Sequence, residues 1–499
     1  MIDWLLYNPL KPLLFTRPTF WIYFLVVFGV FSVIYKNTFR RNTWLFVVSM
    51  FFYYKSSGLF FSLIIASVLV NYFIGNKLYK AKSTGAKKWW VALSVFYNLL
   101  WLVYFKYTYF FSGLISQWFG FDVQVQDWLM LGLNNITGSD FEASKIILPV
   151  GISFYTFQII SYIVDLYRKK VEPIKNVLDF GFYVTFFPQL VAGPIVRAAN
   201  FVPQMYQPFK LHKDEASQAL FLVLNGLIKK IIIADYISVN FVDRVFDSPL
   251  SYSGLENLLA VYGYSIQIYC DFSGYTDIAI GLALWMGFRL PLNFNSPYKA
   301  PNITDFWHRW HISLSSWLKD YLYIPLGGNR KGKIRTYVNL FVTMLLGGLW
   351  HGANLRFIIW GALHGLYLAI HKLYLTVFPK AGEQKWHWLR VFFTFHIVTI
   401  TWMAFRAKSM EAVLDMLSQM AFNFKGSFFF EIVAAYKAVL GLILLAFIIH
   451  WLPEKWKNWY RGIFILTPTY LKAIIVVLII FVLAQFSSAG LQPFIYFQF

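Results

Sequence analysis

Apolar runs about as long as a bilayer is thick recur through this chain, and short basic loops separate them. Runs near 20–35, 44–54, 59–74, 89–119 and 146–167 are punctuated by Lys36, Arg40 and Arg41, by a turn at 55–58, by Lys77, Lys80, Lys82, Lys87 and Lys88, and by Arg168, Lys169 and Lys170. At about 20 residues per crossing, such runs read as membrane-spanning helices. Basic residues collect on the cytoplasmic side of membrane proteins. One topology satisfies all five crossings: the amino terminus outside, the loops 36–43, 77–88 and 168–175 in the cytoplasm, and the polar loop 120–145, with Asp122, Asp127, Asp140 and Glu142, outside.

Only 13% of the 499 residues are charged, against about a quarter in a soluble protein. The chain therefore reads as an all-α polytopic membrane protein with a single membrane domain, 1–499, rather than as a string of soluble domains. The net charge of +21 sits in short loops and forms no long basic stripe, which sets nucleic-acid binding aside. The single cysteine, Cys270, excludes an intramolecular disulfide and a cysteine-based metal site. Beside Asp271 in an apolar run, it reads as a buried small side chain before a thioester nucleophile. The first apolar run follows Arg17 and lacks a small-residue cleavage site, so no cleavable leader is expected.

Beyond Arg168 the pattern becomes irregular. Segments near 180–196, 217–241 and 257–288 are apolar, with Pro188, Pro194, Gly263 and Gly274 as expected breaks. Irregular backbone at membrane depth belongs where it is buried in protein or lines a cavity, so re-entrant pieces around a central opening are expected. The stretch 305–323 also reads as re-entrant or interfacial. As one helix it would carry Phe306, Trp310, Leu314, Trp317 and Tyr321 on an apolar stripe, and Thr304, His308, His311, Ser315 and Lys319 on a polar one. The loop 329–335 holds four basic residues and is expected in the cytoplasm. Segments near 337–352, 355–377, 388–405, 433–452 and 469–487 bring the expectation to roughly eleven to thirteen spans or part-spans.

Candidate chemistry concentrates at 305–371, which contains His308, His311, His351, His364 and His371, five of the nine histidines. Titratable side chains in apolar membrane sequence are costly and are read first as functional. His351 stands among Gly347, Gly348, Trp350 and Gly352. Small residues allow close approach of backbones or substrate, and a neutral imidazole is a capable general base. A helix rising from Val338 would carry His351 about 20 Å into the membrane. A core histidine bonded to a backbone carbonyl is an equally good reading of the same residue. His364 would lie about 220° around a continuous helix from His351, so the two would act together only if the backbone breaks. His308 and His311, three apart, could share a metal, but no further ligands accompany them at suggestive spacing; Asp305 and Arg309 read as a helix ion pair. The glycine-rich, basic run 327–333 could hold a phosphate, although a cytoplasmic basic loop explains it more simply. Asp271 and Asp277 read as structural hydrogen-bonding groups at least as well as catalytic ones.

Beyond this point the residues are informative through resemblance. The runs FWHRWHISLSSWLKDYLYIPLGGNR and LLGGLWHGANLRFIIWGALHG resemble the membrane-bound O-acyltransferase family, and more narrowly its bacterial branch of alginate O-acetylation and teichoic-acid D-alanylation membrane proteins. Further matches are PVGISFYTFQIISYIVDLYR, FFPQLVAGPIVR, KKIIIADYISVNFVDRVF, YCDFSGYTDIAIGLALWMGFRLPLNFNSPYKA and the terminal PFIYFQF. The likeness is strong over 149–364 and divides the domain into amino-terminal helices at 1–148, a signature-bearing core at 149–371 and carboxy-terminal helices at 372–499. The LPLNF and YLYIPLGGNR wording is closer to the alginate type.

The resemblance implies a ring of helices around a thinned central channel in the bacterial inner membrane. It maps the catalytic histidine of the WHG motif onto His351 and the second signature histidine, in RWHIS, onto His311; Trp307, Trp310, Trp350, Asp271 and Asn354 are candidates to line the substrate channel. It implies no bound cofactor or metal, a cytoplasmic donor such as acetyl-CoA, an extracytoplasmic transferase or carrier as partner, and a cell-surface polysaccharide such as alginate as final acceptor. D-Alanyl transfer to teichoic acid is the nearest alternative. A lipid or glycan transporter, or a structural subunit whose partner does the chemistry, would share the broken helices but not the signature runs.

Overall fold

The computed structural model describes residues 5–9, 11–138, 140, 142–378, 386–487, 492, 494 and 495. Among them every regular element is helical. Local chemistry starts the helices where the chain supplies caps. Asn37 accepts from the Arg40 N–H at the head of Thr38–Ser57, Ser83 from Ala86 at the head of Thr84–Leu102, and Ser253 and Glu256 form a reciprocal capping box at the head of Gly254–Trp285.

Four helical runs among the described residues are long and apolar enough to cross a membrane: Thr38–Lys80, Thr84–Phe119, His387–Arg406 and Thr469–Phe486. A fifth results if Gly426–Ala435 and Lys437–Trp451, bent by 94°, form one broken span. The 43-residue run Thr38–Lys80 is interrupted at Gly58, whose φ of +59° starts a 3-10 turn. Lys55, Ser56 and Ser57 stay helical, so the turn expected at 55–58 falls instead at 58–60. Arg41, expected in a cytoplasmic loop, instead lies inside the first of these helices, buried and donating to the carbonyls of Met205 and Gln207. A buried guanidinium needs acceptors; these two carbonyls come from residues far away in sequence, and the neighbouring Asn42 amide oxygen accepts from Nε at 3.3 Å. Several expected part-spans are short helices joined by extended links, such as Val177–Thr185 with Phe187–Leu190. The loop 120–145, expected outside, contains a helix, Trp128–Thr137, started by Asp127, whose carboxylate accepts from Leu129, Met130 and the Tyr104 hydroxyl. Its Trp128 and Ile136 are exposed, as fits an element lying at a membrane surface.

Gly263 and Gly274 do not break their segment: Gly254–Trp285 is one helix of 32 residues. The glycines are there for close approach. A Cβ on Gly274 would stand 2.8 Å from the Gly226 carbonyl oxygen, and one on Gly281 would stand 2.7 Å from that of Ala219, both on the neighbouring helix Lys213–Leu227. Small residues at a helix crossing gain dispersion contacts that larger ones would block. Polar contacts add to this elsewhere, as where Asn98 and Ser94 donate to the Asn71 amide oxygen at 2.9 and 2.6 Å across two apolar helices.

The same device joins Lys333–His351 to Leu355–Val377. A Cβ on Gly348 would meet the Phe357 carbonyl oxygen at 2.2 Å and the Gly361 Cα at 3.0 Å, whereas one on Gly347 meets only the Leu318 Cδ1 at 3.2 Å. Gly348→Ala is therefore expected to lower stability by about 1–3 kcal/mol, and Gly347→Ala by clearly less. Thermal unfolding of the two variants in detergent checks this; equal losses would contradict it.

Two apolar cores fill the interior. One gathers the amino-terminal helices with Ile152–Tyr167 and the segments around Phe182, Met286 and Trp317, and includes Trp350. The other gathers residues around Tyr264, Trp307, Trp310, Trp360 and Trp402. The signature histidines lie along the seam between them.

Candidate active site

His351 is the last helical residue of Lys333–His351; Gly352 is extended, with φ −165° and ψ 147°. The expected polar stripe through 305–323 is interrupted. Ile303–Arg309 ends, Trp310 is extended, and His311 takes a left-handed φ of +44° before Ile312–Leu318 begins. A positive φ is uncommon outside glycine, and here Asn293 holds it. The Asn293 carbonyl accepts the Ile312 N–H at 3.0 Å, and its side-chain oxygen accepts from the Ser313 N–H at 3.2 Å and the Ser313 hydroxyl at 2.9 Å. That oxygen also lies 3.1 Å from His311 Nδ1. An amide oxygen only accepts, so His311 carries its proton on Nδ1, and in the neutral ring Nε2 is the acceptor nitrogen. The kink removes His311 from the surface stripe and buries it completely. The remaining polar residues, Thr304, His308, Ser315 and Lys319, line a separate cavity of about 330 Å³.

Trp350 brings the two signature histidines together. Its ring lies 6.3 Å from that of His311 and 5.0 Å from that of His351, while Phe157 stacks on it at 5.2 Å. His351 also packs edge-on against Trp360 and Phe405, each at 5.2 Å. Because the backbone breaks after His351, His364 comes to the same Trp360 ring, at 4.6 Å. Its nitrogens are already committed: Nδ1 accepts from the Trp307 indole at 3.3 Å, so Nε2 carries the proton toward the Thr401 hydroxyl at 3.0 Å. His364 thus fixes Trp307 and has a structural place.

Of the other candidates, Trp307 both lines the cavity and packs on Trp360, and Trp310 is buried against Phe306 and Trp402. Asn354 is exposed and caps the helix Leu355–Val377 through the Arg356 N–H at 3.1 Å. Asp271 faces an ion cluster with Lys230 and Asp235, and accepts the Ile495 N–H at 3.0 Å; the next residue, Phe272, packs on His311 at 4.7 Å. Of the terminal run PFIYFQF, residues 493 and 496–499 lie outside the described residues. Asp277 pairs with Lys229 at 2.7 Å, and Asp305 with Arg309 at 2.7 Å as expected. His371 reaches Thr304 at 2.8 Å and His450 accepts the Tyr298 N–H at 3.2 Å, both away from the pair at Trp350. No group of three or more His, Cys, Asp or Glu able to hold a metal ion occurs among the described residues.

Three contributors escaped the sequence reading. Asn293 sits in the LPLNF wording, but nothing local announces that it pins His311. Thr401 lies in an ordinary apolar helix. Lys106 had a signal, a lone lysine in WLVYFKYTYFF, which at membrane depth is itself a functional hint.

A family model described as MBOAT, membrane-bound O-acyltransferase family, matches residues 172–414. The chain is 38% identical over 482 residues to a Pseudomonas putida protein named as a probable alginate O-acetylase, covering 92% of this chain and 94% of that one. It is 37% identical over 443 residues to the peptidoglycan O-acetyltransferase of Helicobacter pylori, covering 82% and 80%. With the teichoic acid D-alanyltransferase of Bacillus subtilis it shares 30% identity over 283 residues, covering 52% and 69%.

Proposed function

Because the chain belongs to the membrane-bound O-acyltransferase family, we propose that it takes an acetyl group from cytoplasmic acetyl-CoA and passes it across the bacterial inner membrane for O-acetylation of an extracytoplasmic polysaccharide such as alginate. The observation that carries this reading is the burial of His351 and His311 around one tryptophan, at the seam of two apolar cores. A water-poor site of that kind suits a neutral base and protects a thioester from hydrolysis.

His351 is the general base. It takes the proton of an acceptor hydroxyl as the oxygen attacks the thioester carbonyl; the C–S bond breaks and the thiol leaves with that proton. One ester replaces one thioester, so no ATP is consumed. His311 orients the donor, and Trp307, Trp310 and Trp350 shape its path. The cavity lined by His308 and Lys319, together with the basic loop 329–335, supports the approach of an anionic donor from the cytoplasmic side. An extracytoplasmic transferase or carrier receives the acyl group.

The likeness to a teichoic acid D-alanyltransferase supports one second reading, D-alanyl transfer. The two separate on donor identity. Purified protein in vesicles receives either acetyl-CoA or D-alanyl carrier protein, with the matching partner and glycan present, and thiol release is followed. Release from acetyl-CoA alone supports the first reading and release from the D-alanyl donor alone the second. Release from neither would overturn both and favour transport without acyl chemistry.

A further inference from the structure

Helices leave their last carbonyls without partners inside the helix, and the helix carrying His351 ends on that residue. Its final carbonyls are held from far away in the chain. The Tyr107 hydroxyl donates to the Leu349 carbonyl at 2.9 Å, and Lys106 Nζ donates to those of Trp350 and His351 at 2.6 and 3.0 Å. Both donors come from Val103–Tyr107, a π-helical turn between Thr84–Leu102 and Thr108–Phe119. A π turn widens the helix and is found often at functional sites; here it lets two consecutive side chains reach one helix end. The Lys106 ammonium also lies 5.9 Å from the centre of the Trp350 ring, the ring shared by both histidines. The carbonyls it holds stand at the negative end of the helix dipole, where a lysine donor is favoured.

We propose that Lys106 is a positioning residue for His351, fixing from the amino-terminal helices the helix end on which the imidazole sits, with Tyr107 as its neutral companion. This rests on the reading of His351 as the base. It gives the amino-terminal region, which lies outside the signature runs, a part in positioning the base. Displacing a reacting group by about 1 Å costs on the order of 100-fold in rate. A frayed helix end would allow at least such a displacement.

The test uses the full-length protein in vesicles, with acetyl-CoA as donor, and compares wild type with Lys106→Met, Lys106→Arg, Tyr107→Phe and His351→Ala. Lys106→Met is expected to lower kcat about 100-fold with KM for acetyl-CoA unchanged and only a small fall in unfolding temperature, since two helix-end carbonyls lose their donor. Lys106→Arg, which keeps the donors and the charge, is expected to recover most of the rate, and Tyr107→Phe to show a smaller loss of the same kind. Wild-type kcat in Lys106→Met alongside an inactive His351→Ala overturns this inference alone. Full activity in His351→Ala overturns the reading of the base, and the inference with it. Equal losses in Lys106→Met and Lys106→Arg with a matching fall in unfolding temperature would reduce Lys106 to a structural residue. If Lys106→Met is not recovered folded, Tyr107→Phe decides, and an unchanged kcat there counts against the proposal.

Discussion

His351→Ala is expected to lower acyl transfer by roughly 10²–10⁴-fold, the contribution of a positioned general base, while the protein stays folded. The fold survives because the residues around the imidazole hold one another. Trp350 is stacked on Phe157, Trp360 on Trp402, and Phe405 packs on Phe357 and Trp360. None of these contacts passes through the histidine. His364→Ala provides the contrast. Both of its nitrogens are bonded within the protein, so its loss would free Trp307 and lower stability without removing the base. Initial rates and unfolding temperatures measured together separate the two cases. A His351→Ala protein that retains transfer would remove His351 from the chemistry.

Lys230→Met is expected to be the most destabilising single change outside the histidine seam. Lys230 is 1% exposed and lies between two carboxylates, Asp235 at 2.7 Å and Asp271. Removing the cation strands both carboxylates in an apolar interior. Breaking a buried ion pair from one side costs about 3–5 kcal/mol, because an uncompensated charge is left behind. The full exchange Lys230→Met, Asp235→Asn, Asp271→Asn is expected to recover most of that loss, since it leaves no buried charge. The Asp271 carboxylate also holds the Ile495 N–H at 3.0 Å, so the single variant should loosen the carboxy-terminal segment as well. Denaturant titration in detergent checks both variants. A single variant within about 1 kcal/mol of wild type, the range of an exposed pair, would contradict this account.

The all-helical, apolar character of the fold was legible because membrane helices announce themselves by length and apolarity. The number of spans was not: four runs, or five with the bent pair, are long and apolar enough to cross among the described residues, against roughly eleven to thirteen spans or part-spans expected. The resemblance singles out the two signature histidines, and the structure brings both to Trp350. Their arrangement was not legible, because it depends on departures from regular helix. Helical periodicity put His311 on a stripe with His308 and Ser315, whereas one left-handed residue turns it inward. The same periodicity set His364 away from His351, whereas the extended Gly352 brings both to Trp360. Lys230 and Asp235 lie five residues apart, a spacing that faces different ways on an α-helix but meets on the π-helical turn Ile228–Asp235. Gly263 and Gly274 were read as breaks because glycine is the poorest of the ordinary helix formers. Packing against a neighbouring helix uses the missing side chain and outweighs that preference. The carbonyls held by Lys106 and Tyr107 lie more than 240 residues along the chain, beyond the reach of any local pattern.

On the proposed function, an acetyl group from a cytoplasmic donor crosses the membrane through the seam that holds His351. Vesicles of one protein orientation, loaded with the extracytoplasmic transferase and glycan and given radiolabelled acetyl-CoA on the cytoplasmic face alone, test it directly. Label on the enclosed glycan is expected with wild type, and background label with His351→Ala. Wild-type vesicles that consume no acetyl-CoA, or that leave the label on the donor side, would contradict it.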